Sequence, residues 1–372
     1  MWVRLPPLAQ NFLEWGRAET SIFENWRVLL RQKGLVVVTG GAGYLGCVLC
    51  ELLHEEGYKV RVVDRLFFGQ EPIRSLKEKG VEIVRHDIRF VPEHVYEGAD
   101  AVVMLAALSN DPTCELDTEA STSINLHGQL RTATIARKMG VKRLVFASSC
   151  SVYGTGKRQA LTEDDECDPV SLYSRLKLEC EKALISLSDK DFCVTILRFA
   201  TLYGLAPRMR FDLAPNLMTL SAVRKGKIYV LGRGMQWRPF LHVKDAARAI
   251  SLVLQAPESS VCKKVFNCGS EEEEFQMLPL ASLIANLVRN TDVEVVPDDP
   301  DKRSYHVSFE RIRKELGFKR RQRLEDAVVE IANALRTNAI TDDIRTRTLD
   351  YYTYLVQAKK LLDEILLDGI LL

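Results

Sequence analysis

No apolar run in this chain approaches the ~18 residues that a helix needs to cross a bilayer, so no membrane partner is expected. Nor is there an excess of charge: 51 Lys and Arg stand against 50 Asp and Glu, leaving +1 at pH 7. That removes any bulk electrostatic case for nucleic acid, and an anionic ligand has to be held by locally placed arginines. The basic cluster Lys319-Arg320-Arg321-Gln322-Arg323 has no interleaved aromatics and sits near Glu315 and Glu325, so it reads as a solvated face. The nine cysteines are scattered and odd in number, which excludes a disulfide framework and fits a reducing cytoplasm. Cys47 and Cys50 form a C-x-x-C with no second pair nearby; core packing, and no metal site, is expected of them. The N-terminal Met1–Pro7 lacks the continuous apolar stretch of a secretion signal, and a cytoplasmic location is expected. No repeat or low-complexity segment stands out.

What is present is an ordinary globular composition, 47% hydrophobic and 27% charged, over 372 residues, enough for one large or two modest domains with a well-buried core. One stretch is more informative than the rest. Val36-Val37-Val38-Thr39 runs into Gly40-Gly41-Ala42-Gly43-Tyr44-Leu45-Gly46, an apolar strand feeding a glycine-rich turn and then an amphipathic segment. Glycines at 40, 43 and 46 suit a sharp turn, close approach of backbone to a pyrophosphate, and tight packing of helix on sheet. The helix N-terminus adds free N–H groups and partial positive charge for phosphates. Tyr58–Asp64 then places an acidic residue at the end of the next strand, where Asp64 can accept hydrogen bonds from adenosine ribose hydroxyls.

From Leu35 onward, apolar strands (Leu35–Thr39, Lys59–Asp64, Val81–Arg85, Ala101–Leu105, Arg143–Ser148, Cys193–Phe199) alternate with amphipathic stretches such as Leu45–Glu56 and Ile124–Met139. The pattern predicts an α/β, doubly wound parallel sheet. It loosens after Gly204. Residues 34–204 and 238–269 read as the dinucleotide-binding domain, 205–237 and 270–335 as a smaller mixed α/β substrate lobe, 1–33 as an N-terminal extension, and 336–372 as a helical tail. In the tail, Leu361, Leu362, Ile365 and Leu366 form an apolar stripe expected to dock on the body or on a second subunit.

Tyr173-Ser174-Arg175-Leu176-Lys177 is a Y-x-x-x-K, which on a helix brings phenol and ammonium to one face. A phenol titrates near ~10, and a neighbouring Lys cation and an oxidised nicotinamide both favour the phenolate. The strand end Phe146-Ala147-Ser148-Ser149 delivers hydroxyls to the carboxyl edge of the sheet, where Ser149 can hydrogen-bond a substrate hydroxyl as its proton leaves.

These motifs, in this order, resemble the extended short-chain dehydrogenase/reductase family, nearest its nucleotide-sugar epimerases and dehydratases, over roughly residues 34–335. The resemblance implies a Rossmann domain holding NAD, a lobe binding a nucleoside-diphosphate sugar, and catalysis by Tyr173, Lys177 and Ser149. It places Gly40, Gly43, Tyr44, Leu45 and Gly46 at the cofactor phosphates, Asp87 and Ile88 beside the adenine, Leu105, Ala106 and Ala107 along the cofactor, and Asn125 behind the active site. It assigns Ser109, Asn216, Arg238 and Arg303 to the substrate, the two arginines suiting bidentate phosphate contact. His242 reads as a structural hydrogen-bonding residue. A homodimer through a helix bundle is the family's habit.

The chain also departs from the pattern. Where 4,6-dehydratases of the family carry Asp-Glu, it has Cys150-Ser151, and the Glu kept by the related decarboxylases is absent too. Neither residue makes a strong acid/base pair, which disfavours 4,6-dehydration; Cys150 is read as packing. The usual Asn before the second Tyr-Gly is replaced by Thr201. The expected activity is transient oxidation at C4 of a nucleoside-diphosphate hexose, giving epimerisation. The alternatives are an NAD(P)-dependent ketosugar reductase or sugar dehydrogenase, and a non-catalytic NAD-binding scaffold. Asp64 should repel a 2′-phosphate, favouring NAD, while Arg65 beside it leaves some room for NADP.

Overall fold

The computed structural model describes residues 33–155, 160–297 and 304–366, so the extension before Lys33 and the substrate-site expectation at Arg303 lie outside the described residues. Twelve strands occur in it: β1 (Lys33–Thr39), β2 (Tyr58–Asp64), β3 (Glu82–Arg85), β4 (Ala99–Met104), β5 (Arg143–Ser149), β6 (Cys193–Phe199), β7 (Thr201–Tyr203), β8 (Lys227–Leu231), β9 (Trp237–His242), β10 (Lys264–Cys268), β11 (Glu274–Gln276) and β12 (Asp292–Val296). Seven of them form one sheet in the order β10-β6-β5-β4-β1-β2-β3, every neighbouring pair parallel. This is the doubly wound arrangement expected from the sequence.

The reason is visible in β1. Val36, Val37 and Val38 are all buried, because successive side chains point to opposite faces and both faces are covered. Val36 and Val38 pack with Leu49 and Leu53 of helix α1 (Tyr44–Glu55). Val37 packs on the other side with Ala133 of α2 (Gln129–Lys138) and Leu184 of α3 (Leu172–Leu187). The amphipathic stretch expected from Ile124 enters α2 through a π-helical turn, Ser123–Gly128, within which the side chain of Asn125 pairs with the backbone of Leu108.

The smaller lobe has a three-stranded sheet, β11-β9-β7, and a two-stranded one, β12-β8. Helices α4 (Ala214–Lys225), α6 (Met277–Val288) and α7 (Leu324–Arg336) share its core around Ile228, Phe240, Leu280, Ile284 and Val328. β9 pairs here, with β7 and β11, and the chain rejoins the large sheet after it through α5 (Val243–Gln255), which packs on α1, and then β10. The junction is held by His242, whose Nδ1 accepts the Lys244 N–H at 3.1 Å at the start of α5. Burial, and then the charge of Lys244, push its imidazole down to about 4, so it is a neutral structural group.

The tail carries helix α8 (Thr348–Ile365), and of the two dockings expected of its apolar stripe, the one on the body is absent among the described residues. Leu361 and Ile365 are 56% and 51% exposed. The docked face is instead at the N-terminal end, where Tyr351 and Tyr352 meet Phe67 and Phe68 at ring separations of 5.6–5.7 Å. Against the body of the chain, aromatic pairing at one end of the helix makes the contact that the aliphatic stripe at the other does not. Among the described residues no helix is long and apolar enough to cross a membrane, and no group of His, Cys, Asp or Glu is arranged to hold a metal ion.

A buried ion pair ties α3 to the sheet below the site. Arg198 on β6 donates to both oxygens of Glu181 (3.1 and 2.7 Å), Ser148 donates to Glu181, and Arg198 also reaches the Tyr153 hydroxyl at 2.9 Å. Removing one partner leaves the other charge buried and uncompensated. Glu181→Leu is therefore expected to destabilise the fold by about 3–5 kcal/mol, read as a loss in chemical denaturation; a change under about 1 kcal/mol would show that the pair is not needed.

Candidate active site

The site is built where β1 and β4 lie side by side and their connecting helices leave to opposite faces of the sheet. Gly40 turns the chain with φ +74°, and a Cβ there would stand 2.5 Å from the Ala106 nitrogen just beyond β4. At Gly46 a Cβ would lie 2.2 Å from the Gly40 carbonyl oxygen, so only glycine lets α1 start this close to the turn. No side chain caps the start of α1, which leaves its first-turn N–H groups to a ligand. Gly40, Gly43, Tyr44, Leu45 and Gly46 all line one crevice. A crowded, Cβ-free turn under an uncapped helix end fits a dinucleotide's phosphates.

Asp64 lines the same crevice at the end of β2. One carboxylate oxygen accepts the Ala42 N–H at 3.1 Å and the other the Leu66 N–H at 2.7 Å, so it braces the turn as well as facing it. Burial raises it above the usual carboxylate range, against the pull of those two bonds and of Arg208. Asp87 is held differently. Burial would raise it, but hydrogen bonds and charge from Arg89, then charge from Arg65, hold it below the ordinary value. Arg65 and Arg89 reach it at 2.9 and 2.7 Å. Ile88, Leu105, Ala106 and Ala107 complete this half of the wall. Asn125 lies behind it, its amide paired with both the N–H and the C=O of Leu108 at 2.9 Å.

The half that holds the expected catalytic residues is carried by β5 and α3. The Ser171 capping box starts α3, and Tyr173 lies one turn before Lys177 on it, so both face the strand end together. Tyr173, Lys177 and Ser149 all line the crevice, and Ser149 lies near enough to Tyr173 to act on its phenol. Lys177 Nζ donates to the Ala147 carbonyl at 2.6 Å and sits 5.8 Å from the Tyr173 ring centre. Burial, and after it the charge of Asp111, raise the Tyr173 phenol above its ordinary value, outweighing Arg210 and Ser149. The low-polarity setting of this part of the crevice disfavours both charges. Burial pushes Lys177 down to about 8.

Of the expected substrate residues, Ser109 and Arg238 line the crevice and Asn216 does not. Asn216 is fully buried. It accepts from the Gly204 N–H at 3.0 Å and donates to the Arg210 carbonyl at 3.0 Å and the Tyr44 hydroxyl at 3.1 Å, so it struts the Gly204–Arg210 loop against α1. The Cys150 thiol points away, donating to the Arg198 carbonyl at 3.2 Å, and burial raises it well above its usual value. Ser151 lines the crevice in its place, with a buried Oγ that has no partner. The loop also delivers Arg208 and Arg210, which the sequence reading passed over. Two arginines separated by one residue, between a glycine and a helix start in a chain whose net charge is only +1, were the available signal. Arg210 is paired with Asp212 at 2.6 Å and donates to Ser109 Oγ at 3.1 Å.

The NAD dependent epimerase/dehydratase family model matches residues 36–269. The chain belongs to that family. It is 30% identical to a Bacillus subtilis protein named an uncharacterized UDP-glucose epimerase, YtcB, over 68% of this chain and 81% of that one. It is 27% identical to UDP-glucuronic acid decarboxylase 1 of Danio rerio over 72% of this chain, spanning 65% of that relative's length. Among solved structures it is similar to MoeE5 in complex with UDP-glucuronic acid and NAD, with TM-score 0.73 and 26% identity, covering 82% of this chain and 100% of MoeE5. The protein is accordingly an enzyme of an NAD-dependent family, and its cofactor is NAD.

The depressed Lys177 has a consequence for stability. Its folded value, about 8, lies below the ordinary 10.5, so between those pH values the unfolded chain holds a proton that the folded one lacks. Stability therefore rises with pH across that window, and the full penalty is present below it. Allowing for the lost bond to Ala147, Lys177→Met is expected to be more stable than the parent by about 2 kcal/mol at pH 7, the gap closing by pH 10. Paired denaturation curves at the two pH values check this; a variant equally destabilised at both would refute it.

Proposed function

We propose that the protein is an NAD-dependent nucleotide-sugar epimerase acting by transient oxidation at C4 of a nucleoside-diphosphate hexose. The observation that carries this reading is that Tyr173, Ser149 and Lys177 converge on the same crevice as the glycine turn. NAD, when bound, supplies reversible hydride transfer at C4 and the positive ring that favours a phenolate. Tyr173 takes the proton of the C4 hydroxyl, Ser149 hydrogen-bonds the same oxygen as charge develops on it, and Lys177 holds the phenol's surroundings cationic. After the keto-sugar turns in the pocket, Tyr173 returns the proton. Net redox is zero, so no second redox substrate is required.

Two further features support the substrate class. Arg238 on β9 lines the crevice with its guanidinium 5.5 Å from the Tyr305 ring centre, a forked donor suited to a diphosphate. The position where related decarboxylases keep a Glu is Ser151, whose unpartnered Oγ has no proton-transfer strength at neutral pH but can hydrogen-bond a sugar hydroxyl. Uridine diphosphate is the first nucleotide to test, since it appears in the names of the relatives and in the bound ligand of MoeE5.

The test is conversion of UDP-hexoses by purified enzyme with no NAD(H) added, followed by NMR of the sugar. Interconversion of C4 epimers is expected, with Tyr173→Phe lowering kcat by about 10²–10⁴-fold, the usual worth of a positioned acid/base. Sustained dependence on added cofactor would replace this reading with a net reductase or dehydrogenase, and full activity of the Phe variant would replace it with a scaffold. Cys150→Ala should keep the parent kcat to within about twofold, because the thiol faces the Arg198 carbonyl and not the crevice.

A further inference from the structure

Arg208 is the least compensated charge in the crevice wall. It is 5% exposed and makes no ion pair with any described residue, although Asp64 and Asp212 feel its field. One Nη donates to Thr348 Oγ1 at 3.0 Å and to the Arg345 carbonyl at 3.4 Å, and its Nε is buried without a partner. The guanidinium stacks on Phe68 at 3.7 Å. It lies close enough to the start of α1 for its charge to act on the Cys47 thiol. A buried cation with an unused donor, beside an uncapped helix N-terminus, is set for an anion that the chain itself does not supply.

The same guanidinium is locked in place by the tail. The Phe211 N–H donates to the Thr346 carbonyl at 2.8 Å, and Thr348 is almost fully buried. Tyr352 meets Phe67 edge-on at 5.6 Å and Phe68 at 5.7 Å. Thr348 and Tyr352 line the crevice that holds the glycine turn and Lys177, and Tyr352 also lines the adjoining cavity with Arg65, His86 and Asp87. Helix α8 therefore lies over the side of the crevice marked by Asp64 and Asp87.

We propose that Arg208 and helix α8 form a clasp on NAD: Arg208 binds the pyrophosphate across from the glycine turn, and Thr348 and Tyr352 cover the adenosine half, so that cofactor is retained between turnovers. The proposal rests on NAD binding and not on which sugar reaction follows, so it stands or falls separately from the C4 reading. Retention suits a chemistry with no net redox, but a reductase could carry the same clasp.

The test uses the full chain and reads binding, not turnover. Calorimetry with NAD, ADP and adenosine compares the parent with Arg208→Met, which keeps an apolar stem against Phe68, and with Tyr352→Ala. Arg208→Met is expected to raise the Kd of NAD and ADP at least tenfold and leave adenosine within twofold. Tyr352→Ala is expected to weaken all three and to speed NAD release at least tenfold in a chase experiment. The unliganded Arg208→Met protein should melt no lower than the parent, because the change removes a desolvated, unpaired cation. Unchanged ADP affinity together with a lowered melting temperature would make Arg208 a structural residue and overturn the clasp. Tighter or faster NAD binding by Tyr352→Ala would also overturn it, since α8 would then obstruct the cofactor.

Discussion

At the head of the large sheet the Gly40 backbone presses on the backbone of Ala106 with no room for a methyl group between them, and Gly46 presses on Gly40 in turn. This one close packing of main chain on main chain decides where the crevice opens. It holds the end of β1 against the end of β4, the two strands whose following helices depart to opposite faces, and a sheet divided there must leave a gap above its carboxyl edge. The N-terminus of α1, the Asp64 carboxylate and the Leu105–Ala107 wall are all placed relative to that contact. Asp64 supports it from below by accepting two main-chain N–H groups of the neighbouring turns, so a residue that lines the crevice also helps to hold the turn in shape.

The opposite wall is governed by a conflict between stability and chemistry. Lys177 has its ammonium buried, with a carbonyl oxygen and no carboxylate to receive it, an arrangement that a chain selected for stability alone would replace with an apolar residue. Beneath it lies the Glu181–Arg198 pair, which satisfies its own charges internally and takes in Ser148 and Tyr153. The charges below the floor of the site are compensated and that of Lys177 is not. That contrast separates the supporting network from the reacting one more clearly than residue type does, since both contain Ser, Tyr and a basic side chain.

What could be read from the sequence was what the chain determines locally. The β1–α1–β2 unit and its glycine turn span a few dozen consecutive residues, and Tyr173 with Lys177 share one helix face by spacing alone. Ser149 follows from being at the end of a strand in a parallel sheet. The unread part depends on contacts distant in sequence. Asn216 lies in a helix at the place expected of a substrate residue, yet its amide is consumed by Gly204, Arg210 and Tyr44, the last 172 residues away. Arg208 meets Thr348 across 140 residues, and no local pattern announces it. In the tail the aliphatic stripe was the stronger periodic signal, but the tyrosines one helical stretch earlier found rings to pack on. The direction of the Cys150 thiol is set by a short 3₁₀ turn after β5, which reverses the alternation that a continuing strand would have given.

A chain with a net charge of +1 has placed Lys177, Arg65, Arg208, Arg210 and Arg238 around a single crevice. Their number says little about the ligand; their compensation says more. Arg65 is paired with Asp87 and Arg210 with Asp212, so each contributes a fixed dipole and little net field. Lys177 and Arg208 have no carboxylate partner among the described residues, and they stand at separate parts of the crevice, one beside the phenol and one beside the helix N-terminus. Two localised, desolvated positive charges call for two sites of negative charge on what binds: one that is permanent, as on a pyrophosphate, and one that appears only while an oxygen is being deprotonated. The first gives affinity in the ground state. On the proposed function, the second is felt chiefly as the reaction proceeds, so that the energy spent in burying Lys177 is recovered in rate and not in binding.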